Sequence, residues 1–195
     1  MIRSFDELEK GAKDQPSKRV ALAMAQEADA LAAIVGAAKA NIVEPVLVGN
    51  KKEIEEIAAA ESLDISRFTL VEAEGEAGAA KTAVELVRDG KADLLMKGKV
   101  ATATLMKAAL DKETGIRGDG VLSHITLIES PQYHKLLIMT DAALNISPGL
   151  EEKIGMINNA VAFAKKLGPE IPKVAVVGAV EKVNPAMTAT IDAAI

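Results

Sequence analysis

Short apolar runs alternate with helical patterns along the first half of this 195-residue chain. Three of the runs predict strands, at residues 18–24, 45–49 and 68–71, and the segments between them carry apolar residues at helical spacing. Strands joined by a single helix pair in parallel, with the helix crossing over the sheet. The alternation therefore predicts an α/β fold in which helices cover both faces of a mostly parallel sheet.

Polar residues and a glycine mark the ends of the helices in this region. Ser4 and Glu7 form a capping box, which predicts a first helix over residues 5–14, and Asn50 with Glu53 repeats the pattern after the second strand. Gly90 is expected to stop a helix that follows the third strand.

The fourth apolar run, residues 92–96, breaks at Lys97-Gly98-Lys99 and restarts as a helix. A strand that turns into a helix directs the helix's first N–H groups and its positive dipole end at one place. No acidic residue lies between Leu94 and Leu110, although the chain has a net charge of −5. This pattern predicts an anion site, most naturally for phosphate, at Lys97, Gly98, Lys99 and Thr102. The alternative is a plain corner with solvated lysines, and Thr102 and Thr104 could equally cap the helix.

Composition excludes several classes of protein. The chain has no cysteine and two histidines, so disulfides and thiolate metal sites are excluded and no metal is expected. Its acidic balance and 2% aromatic content argue against nucleic acid as a partner. No apolar run is long enough to cross a membrane, and the start has no signal-peptide pattern. We expect a cytoplasmic protein.

The second half of the chain changes in pattern. Arg117 lies in a glycine-rich loop, residues 115–120, where its guanidinium suits bidentate phosphate binding. Apolar runs at 122–129 and 135–140 are too close for a crossover helix and predict an antiparallel hairpin. A helix over 150–167, a buried strand over 173–177 and a helix from Pro185 follow.

The apolar face of the last helix has begun but not ended at Ile195. We therefore expect that the chain is truncated within a second α/β domain. The predicted domains are 1–141, which includes the hairpin, and 142–195, with the boundary near 141–149.

Some polar residues of the second half are candidates for a site. Ser123 and His124 are adjacent on a predicted strand, so they point to opposite faces and cannot act together as nucleophile and base. Asp141 and Asn145, at a strand exit, either position a substrate or form an Asx turn. Asn184 lies at another strand-to-helix exit.

Five segments together resemble the phosphate acetyl/butyryl transferase family. They are Pro45 to Gly49, Met96 to Thr102, Leu122-Ser123-His124, Thr140 to Asn145 and Val183 to Met187. The stretch Lys97 to Thr102 is similar to the butyryl branch of this family.

The resemblance implies a three-layer α/β/α fold of the isocitrate/isopropylmalate dehydrogenase type, with two domains, a cleft between them, and the second domain incomplete. It implies an acyl-CoA:phosphate acyltransferase that forms butanoyl phosphate and CoA, with coenzyme A as substrate or product and no permanent cofactor. A homo-oligomer, dimer or larger, is expected.

Within that expectation, Lys97 and Arg117 are the predicted catalytic residues, since developing negative charge needs cations and N–H donors such as that of Gly98. The predicted substrate-binding residues are Gly98, Lys99, Thr102, Lys107, Ser123, His124, Asp141, Asn145 and Asn184. Phosphate acetyltransferase, a related domain fused to a hydratase, and a catalytically incomplete fragment that binds CoA or phosphate or pairs with another chain are the alternatives.

Overall fold

The structure is a computed structural model that describes all 195 residues. It consists of two compact units. The sheet unit comprises residues 10–118, and the hairpin unit comprises residues 1–9 and 119–195. Helix α1, Phe5–Lys13, includes residues of both.

The sheet unit alternates strands and helices as the sequence predicts. In chain order its further elements are β1 Lys18–Ala23, α2 Ala28–Lys39, β2 Val43–Gly49, α3 Lys51–Ala60, β3 Thr69–Glu72, α4 Gly75–Arg88, β4 Leu94–Lys97 and α5 Thr102–Ala109. All four strands are parallel, in the order β3-β2-β1-β4. Strands β2 and β3 add in turn to one side of β1, and β4 then adds to the other side of β1. The strand order therefore reverses between β1 and β4.

Side chains of β1 alternate between two apolar clusters. Val20 and Leu22 pack in the cluster that contains residues of α2 and α3, whereas Ala21 and Ala23 pack in the cluster with α4 and α5. In α4 the buried residues are mostly alanines, and such small side chains allow a helix to approach a sheet closely. The predicted sheet with helices on both faces is confirmed.

The predicted helix ends are largely confirmed. Asn50 Oδ1 accepts a hydrogen bond from Glu53 N–H at 3.0 Å, and Ser4 Oγ accepts one from Glu7 N–H at 3.1 Å. Glu7 Oε2 accepts a hydrogen bond from the N–H of Arg3 at 2.8 Å, whereas a full capping box would use the N–H of Ser4. Gly90 has φ of 68° after α4, a left-handed conformation that favours glycine.

The hairpin unit holds two short strands and two helices. Strands β5 Thr126–Ile128 and β6 Leu137–Met139 are antiparallel, which confirms the predicted hairpin although both strands are shorter than expected. The predicted strand at 122–129 is thus wrong for Ser123 and His124, which lie ahead of β5. Helix α6 is Leu150–Lys166, and α7 is Thr188–Asp192.

The prediction of a buried strand at residues 173–177 is wrong. These residues form no strand, and Val176 and Val177 are 52% and 89% exposed. A strand needs a neighbour for its backbone hydrogen bonds, and none in this unit pairs with it. The last helix begins at Thr188, three residues after Pro185.

The predicted domain boundary near residues 141–149 falls inside the hairpin unit, because residues 122–140 group with α6. The division of the chain into independent domains 1–141 and 142–195 stays a prediction. No helix in either unit combines the length and the apolar character needed to span a membrane.

Candidate functional site

The turn between β4 and α5 is fastened to the loop that follows β1. Gly98 N–H donates to the carbonyl of Ala23 at 2.9 Å, and Lys99 N–H donates to the carbonyl of Met24 at 3.0 Å. The expectation that Gly98 N–H is free for a ligand is therefore wrong, since this donor is already used to extend the pairing between β1 and β4.

Gly98 is required by close packing. A Cβ at this position would lie 2.4 Å from the carbonyl oxygen of Met24, which is backbone and has little freedom to move away. Met24 itself has φ of 57°, so the loop after β1 is tightly turned at this point. The glycine lets two backbones meet where the strand order reverses.

Two lysines flank Gly98 at the carboxyl end of β4. Lys97 is the last residue of the strand and lies opposite Ala23 of β1, and Lys99 follows in the turn. Both side chains are exposed. Lys97 Nζ donates to the carbonyl of Gly98 at 3.1 Å rather than to a carboxylate. The structure thus brings two cations to the edge of the sheet that the sequence predicts, and both are accessible to an anion.

Helix α5 begins at Thr102 without a capping side chain. The residue before it, Ala101, makes no side-chain bond to the first N–H groups, so Thr102 and Thr104 do not cap the helix. In place of a cap, the side chain of Glu76, from the first turn of α4, lies beside the start of α5. Its Oε2 accepts from Thr104 Oγ1 at 3.3 Å and lies 3.5 Å from Ala101 N.

Glu76 corrects the expectation of an acid-free anion site. The segment from Leu94 to Leu110 contains no carboxylate, but folding brings the carboxylate of Glu76 to the start of α5. The positive end of a helix attracts a carboxylate for the same reason that it attracts phosphate. Sequence reasoning missed Glu76 because its contact is made between two helices.

Lys107 and Arg117 lie farther along the chain in the sheet unit. Lys107 is in the last turn of α5, five residues after Thr102, which is about 7.5 Å along a helix axis. Arg117 lies in the loop after α5. Both are exposed, and no hydrogen bond or ion pair connects either of them to Lys97.

Asp141 organises a polar network in the hairpin unit. Its two oxygens accept bonds from the N–H groups of Ala143, Leu144 and His124 and from the side chain of Asn145, at 2.6–3.2 Å. Desolvation by burial is the largest single influence on the pKa of Asp141 and would raise it. The four hydrogen bonds outweigh desolvation and lower this pKa to about 2. The bonds to Ala143 and Leu144 form the predicted Asx turn.

Four of the predicted residues meet in or beside this network. Asn145 Nδ2 also donates to the carbonyl of Leu122 at 2.9 Å. His124 Nδ1 lies 3.3 Å from Thr126 Oγ1. Ser123 Oγ accepts from Asn159 Nδ2 at 3.0 Å, away from the His124 ring's partner. Ser123 and His124 therefore have separate partners, in line with the expectation that they form no nucleophile–base pair.

Asn184 makes a separate local turn. Its side chain accepts from Ala186 N–H at 3.0 Å, while its backbone N–H and carbonyl both bond to the buried hydroxyl of Thr190. These contacts fix the segment ahead of α7. A role for Asn184 in binding substrate stays a prediction.

A groove of about 620 Å³ lies at the opposite edge of the sheet, at the amino ends of β1, β2 and β3. One of its four cationic side chains, Arg19, is held by Asp93 in a forked ion pair, with Nε–Oδ2 and Nη2–Oδ1 distances of 3.2 and 3.1 Å; the others are Lys39, Arg67 and Lys91. Ligands of open parallel sheets bind beyond the carboxyl ends of the strands, at the point where the strand order reverses. We therefore place the candidate site at the Lys97 turn rather than in this groove.

No cluster of three His, Asp or Glu side chains suited to a metal ion is present.

Comparison with known proteins gives consistent results. A model of the family described as "Phosphate acetyl/butaryl transferase" matches residues 4–83 and 76–194. The chain is 43% identical over 195 residues to a phosphate butyryltransferase of Clostridium beijerinckii, covering 100% of this chain and 65% of that protein. It is 39% identical over 178 residues to a phosphate acetyltransferase of Thermotoga maritima, covering 91% of this chain and 60% of that protein.

The fold is also similar to that of a solved enzyme. A branched-chain phosphotransacylase from Enterococcus faecalis superposes with a TM-score of 0.78 at 29% identity, covering 91% of this chain and 62% of that one. The chain spans less than two thirds of the length of each of these three relatives.

Proposed function

The chain belongs to the phosphate acetyl/butaryl transferase family, and on that premise we propose that it takes part in transfer of an acyl group from coenzyme A to phosphate. Butanoyl-CoA is the proposed donor, because the chain is 43% identical to a phosphate butyryltransferase over its full length. The observation that carries the proposal is the pair of exposed lysines, Lys97 and Lys99, at the carboxyl end of β4.

The proposed reaction breaks one bond and forms one. A phosphate oxygen attacks the carbonyl carbon of the thioester, the carbon–sulfur bond breaks, and the thiolate leaves as CoA. The proton of hydrogenphosphate passes to the thiolate, so acyl-CoA and phosphate give acyl phosphate and CoA with atoms and charge in balance. Negative charge develops on the carbonyl oxygen during the attack, and fixed cations and N–H donors stabilise that charge.

The residues of the sheet unit have distinct proposed roles. Lys97 binds phosphate and neutralises it beside the thioester, and Lys99 and the first N–H groups of α5, at Thr102, complete the phosphate site. Arg117 is proposed to bind a second anionic group bidentately. Lys107, at the far end of α5, is proposed to contact CoA. Gly98 contributes the close backbone packing rather than an N–H donor.

The hairpin-unit residues are proposed to support substrate binding. Asp141 and Asn145 shape the loop that holds Ser123 and His124, and Asn184 shapes a further loop. The proposal includes, as the family resemblance implies, substrate binding in a cleft between two domains and assembly as a homo-oligomer.

Phosphate acetyltransferase is the second candidate function. The similarity to the Thermotoga maritima enzyme, at 39% identity, favours it almost as strongly. Acyl pockets distinguish one methylene by only about 1–3 kcal/mol, so activity with both donors is consistent with either name. Initial rates with acetyl-CoA and butanoyl-CoA under identical conditions decide between them.

A thermal-shift experiment tests the class of ligand. A ligand that binds the native state and not the unfolded chain raises the melting temperature, by an amount that grows with the ratio of its free concentration to its Kd. We expect coenzyme A and inorganic phosphate to raise the melting temperature of this chain, and NAD and Mg²⁺ to leave it unchanged. Stabilisation by NAD alone would refute the assignment, and stabilisation by CoA and phosphate without any CoA release would support a binding fragment.

A further inference from the structure

Gln26 carries a buried amide oxygen with no hydrogen-bond partner. The residue is 8% exposed, and its Oε1 is the buried side-chain polar atom that the structure leaves unpaired. This oxygen faces the Cα of Gly49, at the end of β2. A Cβ on Gly49 would lie 2.1 Å from Oε1, so glycine at this position is what makes room for the amide.

Folding alone does not account for glutamine at this position. A buried amide oxygen without a partner loses its hydrogen bond to water and gains none in return. An apolar side chain of similar length would fill the same space without that cost. A residue that breaks a folding rule in this way is expected where function requires it.

Gln26 lies in the loop after β1, one of the two strands between which the strand order reverses. It follows Met24, whose carbonyl accepts from the N–H of Lys99, and Ala25 N–H bonds to the carbonyl of Val48 at 3.0 Å. The loop that holds Gln26 therefore lies between the end of β2 and the lysine turn after β4. In open parallel sheets this crevice is the usual binding place for ligands.

Helix α2 begins directly after this loop and lacks a capping side chain. Glu27 precedes its first residue, Ala28, and makes no side-chain bond to the first N–H groups. These donors remain available at the same edge of the sheet as the lysine turn. An uncapped twelve-residue helix and a buried unpaired amide thus come together at one place.

We propose that Gln26 is a substrate-binding residue whose amide nitrogen donates a hydrogen bond to a phosphate oxygen. Oε1 is enclosed against Gly49, and Nε2 of the same amide donates no hydrogen bond within the protein. Burial of one end of the amide fixes the direction of the other. The ligand group is a phosphate oxyanion, which inorganic phosphate and the phosphates of coenzyme A share. The inference rests on the proposed function and extends the phosphate site from Lys97 to β1.

The test combines stability and binding in Gln26→Met and Gln26→Leu. Both variants replace the unpaired amide by an apolar group of similar size. We expect the melting temperature of at least one to equal that of the wild type or to exceed it by about 2–4 °C. We expect roughly tenfold weaker binding of inorganic phosphate or of coenzyme A, measured by calorimetry. Gln15→Met, at an exposed glutamine of the same unit, should change neither.

The two ligands separate the two sources of the oxyanion. Weaker binding of phosphate alone assigns Gln26 to the inorganic phosphate that accepts the acyl group, and weaker binding of CoA alone assigns it to a phosphate of coenzyme A. Unchanged affinity for both ligands in a stable variant would overturn the inference, because the Gln26 amide would then make no hydrogen bond to either ligand. A lower melting temperature in both variants would also overturn it, because the amide would then be stabilising the fold.

Failure of the inference is distinguishable from failure of the proposed function. If Lys97→Ala loses phosphate affinity and the Gln26 variants keep it, the inference falls and the proposed site stands. If the wild-type chain binds neither phosphate nor CoA, both the inference about Gln26 and the proposed function are refuted.

Discussion

Glu76 Oε2 accepts a hydrogen bond from Thr104 Oγ1 at 3.3 Å and so brings a carboxylate from α4 to the first turn of α5. The same oxygen lies 3.5 Å from the nitrogen of Ala101. In this position Glu76 interacts with the positive end of the helix, at the place proposed for a phosphate group. The carboxylate and the substrate therefore compete for one helix terminus.

Neutralising Glu76 should strengthen phosphate binding. Glu76→Gln keeps the size of the side chain and removes a charge that repels the anion, so we expect the Kd for inorganic phosphate to fall roughly two- to tenfold, most at low salt. Calorimetric titration at two ionic strengths measures this change. Glu55→Gln, on the exposed face of α3, alters the net charge equally and should have little effect. Equal changes in both variants would indicate a long-range charge effect only.

A methyl group at Gly98 should destabilise the fold. The new Cβ of Gly98→Ala would lie 2.4 Å from a backbone oxygen, so we expect a loss of about 1–3 kcal/mol or more in the free energy of unfolding. Gly78→Ala is the matched control, because nothing lies within 4 Å of its Cβ and alanine favours the helix by about 0.5–1 kcal/mol. Urea unfolding measures both. A stable Gly98→Ala protein would show that the turn is not packed against Met24.

The low pKa of Asp141 makes the hairpin unit sensitive to acid. The pKa of this carboxyl is about 2 in the folded protein and 3.8 without its partners, so its contribution is complete above about pH 4 and is lost as the pH falls toward 2. We expect this part of the stability decline to be absent in Asp141→Asn, which is less stable at neutral pH. Thermal unfolding between pH 2 and 7 checks it. A stability difference between the two proteins that does not vary between pH 4 and pH 2 would contradict the assigned pKa.

Local patterns predicted the sheet unit because its elements depend on neighbours in sequence. Apolar runs of strand length, the Asn50 cap and the Gly90 stop signal all report on interactions within a few residues. The position of the lysine turn at a carboxyl strand end follows from the βα order alone.

The features that the sequence did not predict depend on distant residues. The approach of Glu76 to Thr104 and the use of Gly98 N–H by Ala23 both join segments separated along the chain. Residues 173–177 have the composition of a buried strand, but a strand forms only where another strand can pair with it. Gln26 gave one local signal, a single amide directly after an apolar strand, and its burial depends on the distant Gly49.

The most direct test of the account compares Lys97→Ala with Lys91→Ala. Lys97 ends β4 at the proposed phosphate site, whereas Lys91 precedes the same strand at its opposite end, and both side chains are exposed. The measurement is the initial rate of CoA release from butanoyl-CoA at varied phosphate, with circular dichroism to check folding. A charge-assisted hydrogen bond is worth about 1.5–3 kcal/mol, so Lys97→Ala should lose roughly one to two decades in kcat/KM for phosphate. Lys91→Ala should stay close to wild type; equal losses, or no loss in either variant, would contradict a phosphate site at the Lys97 turn.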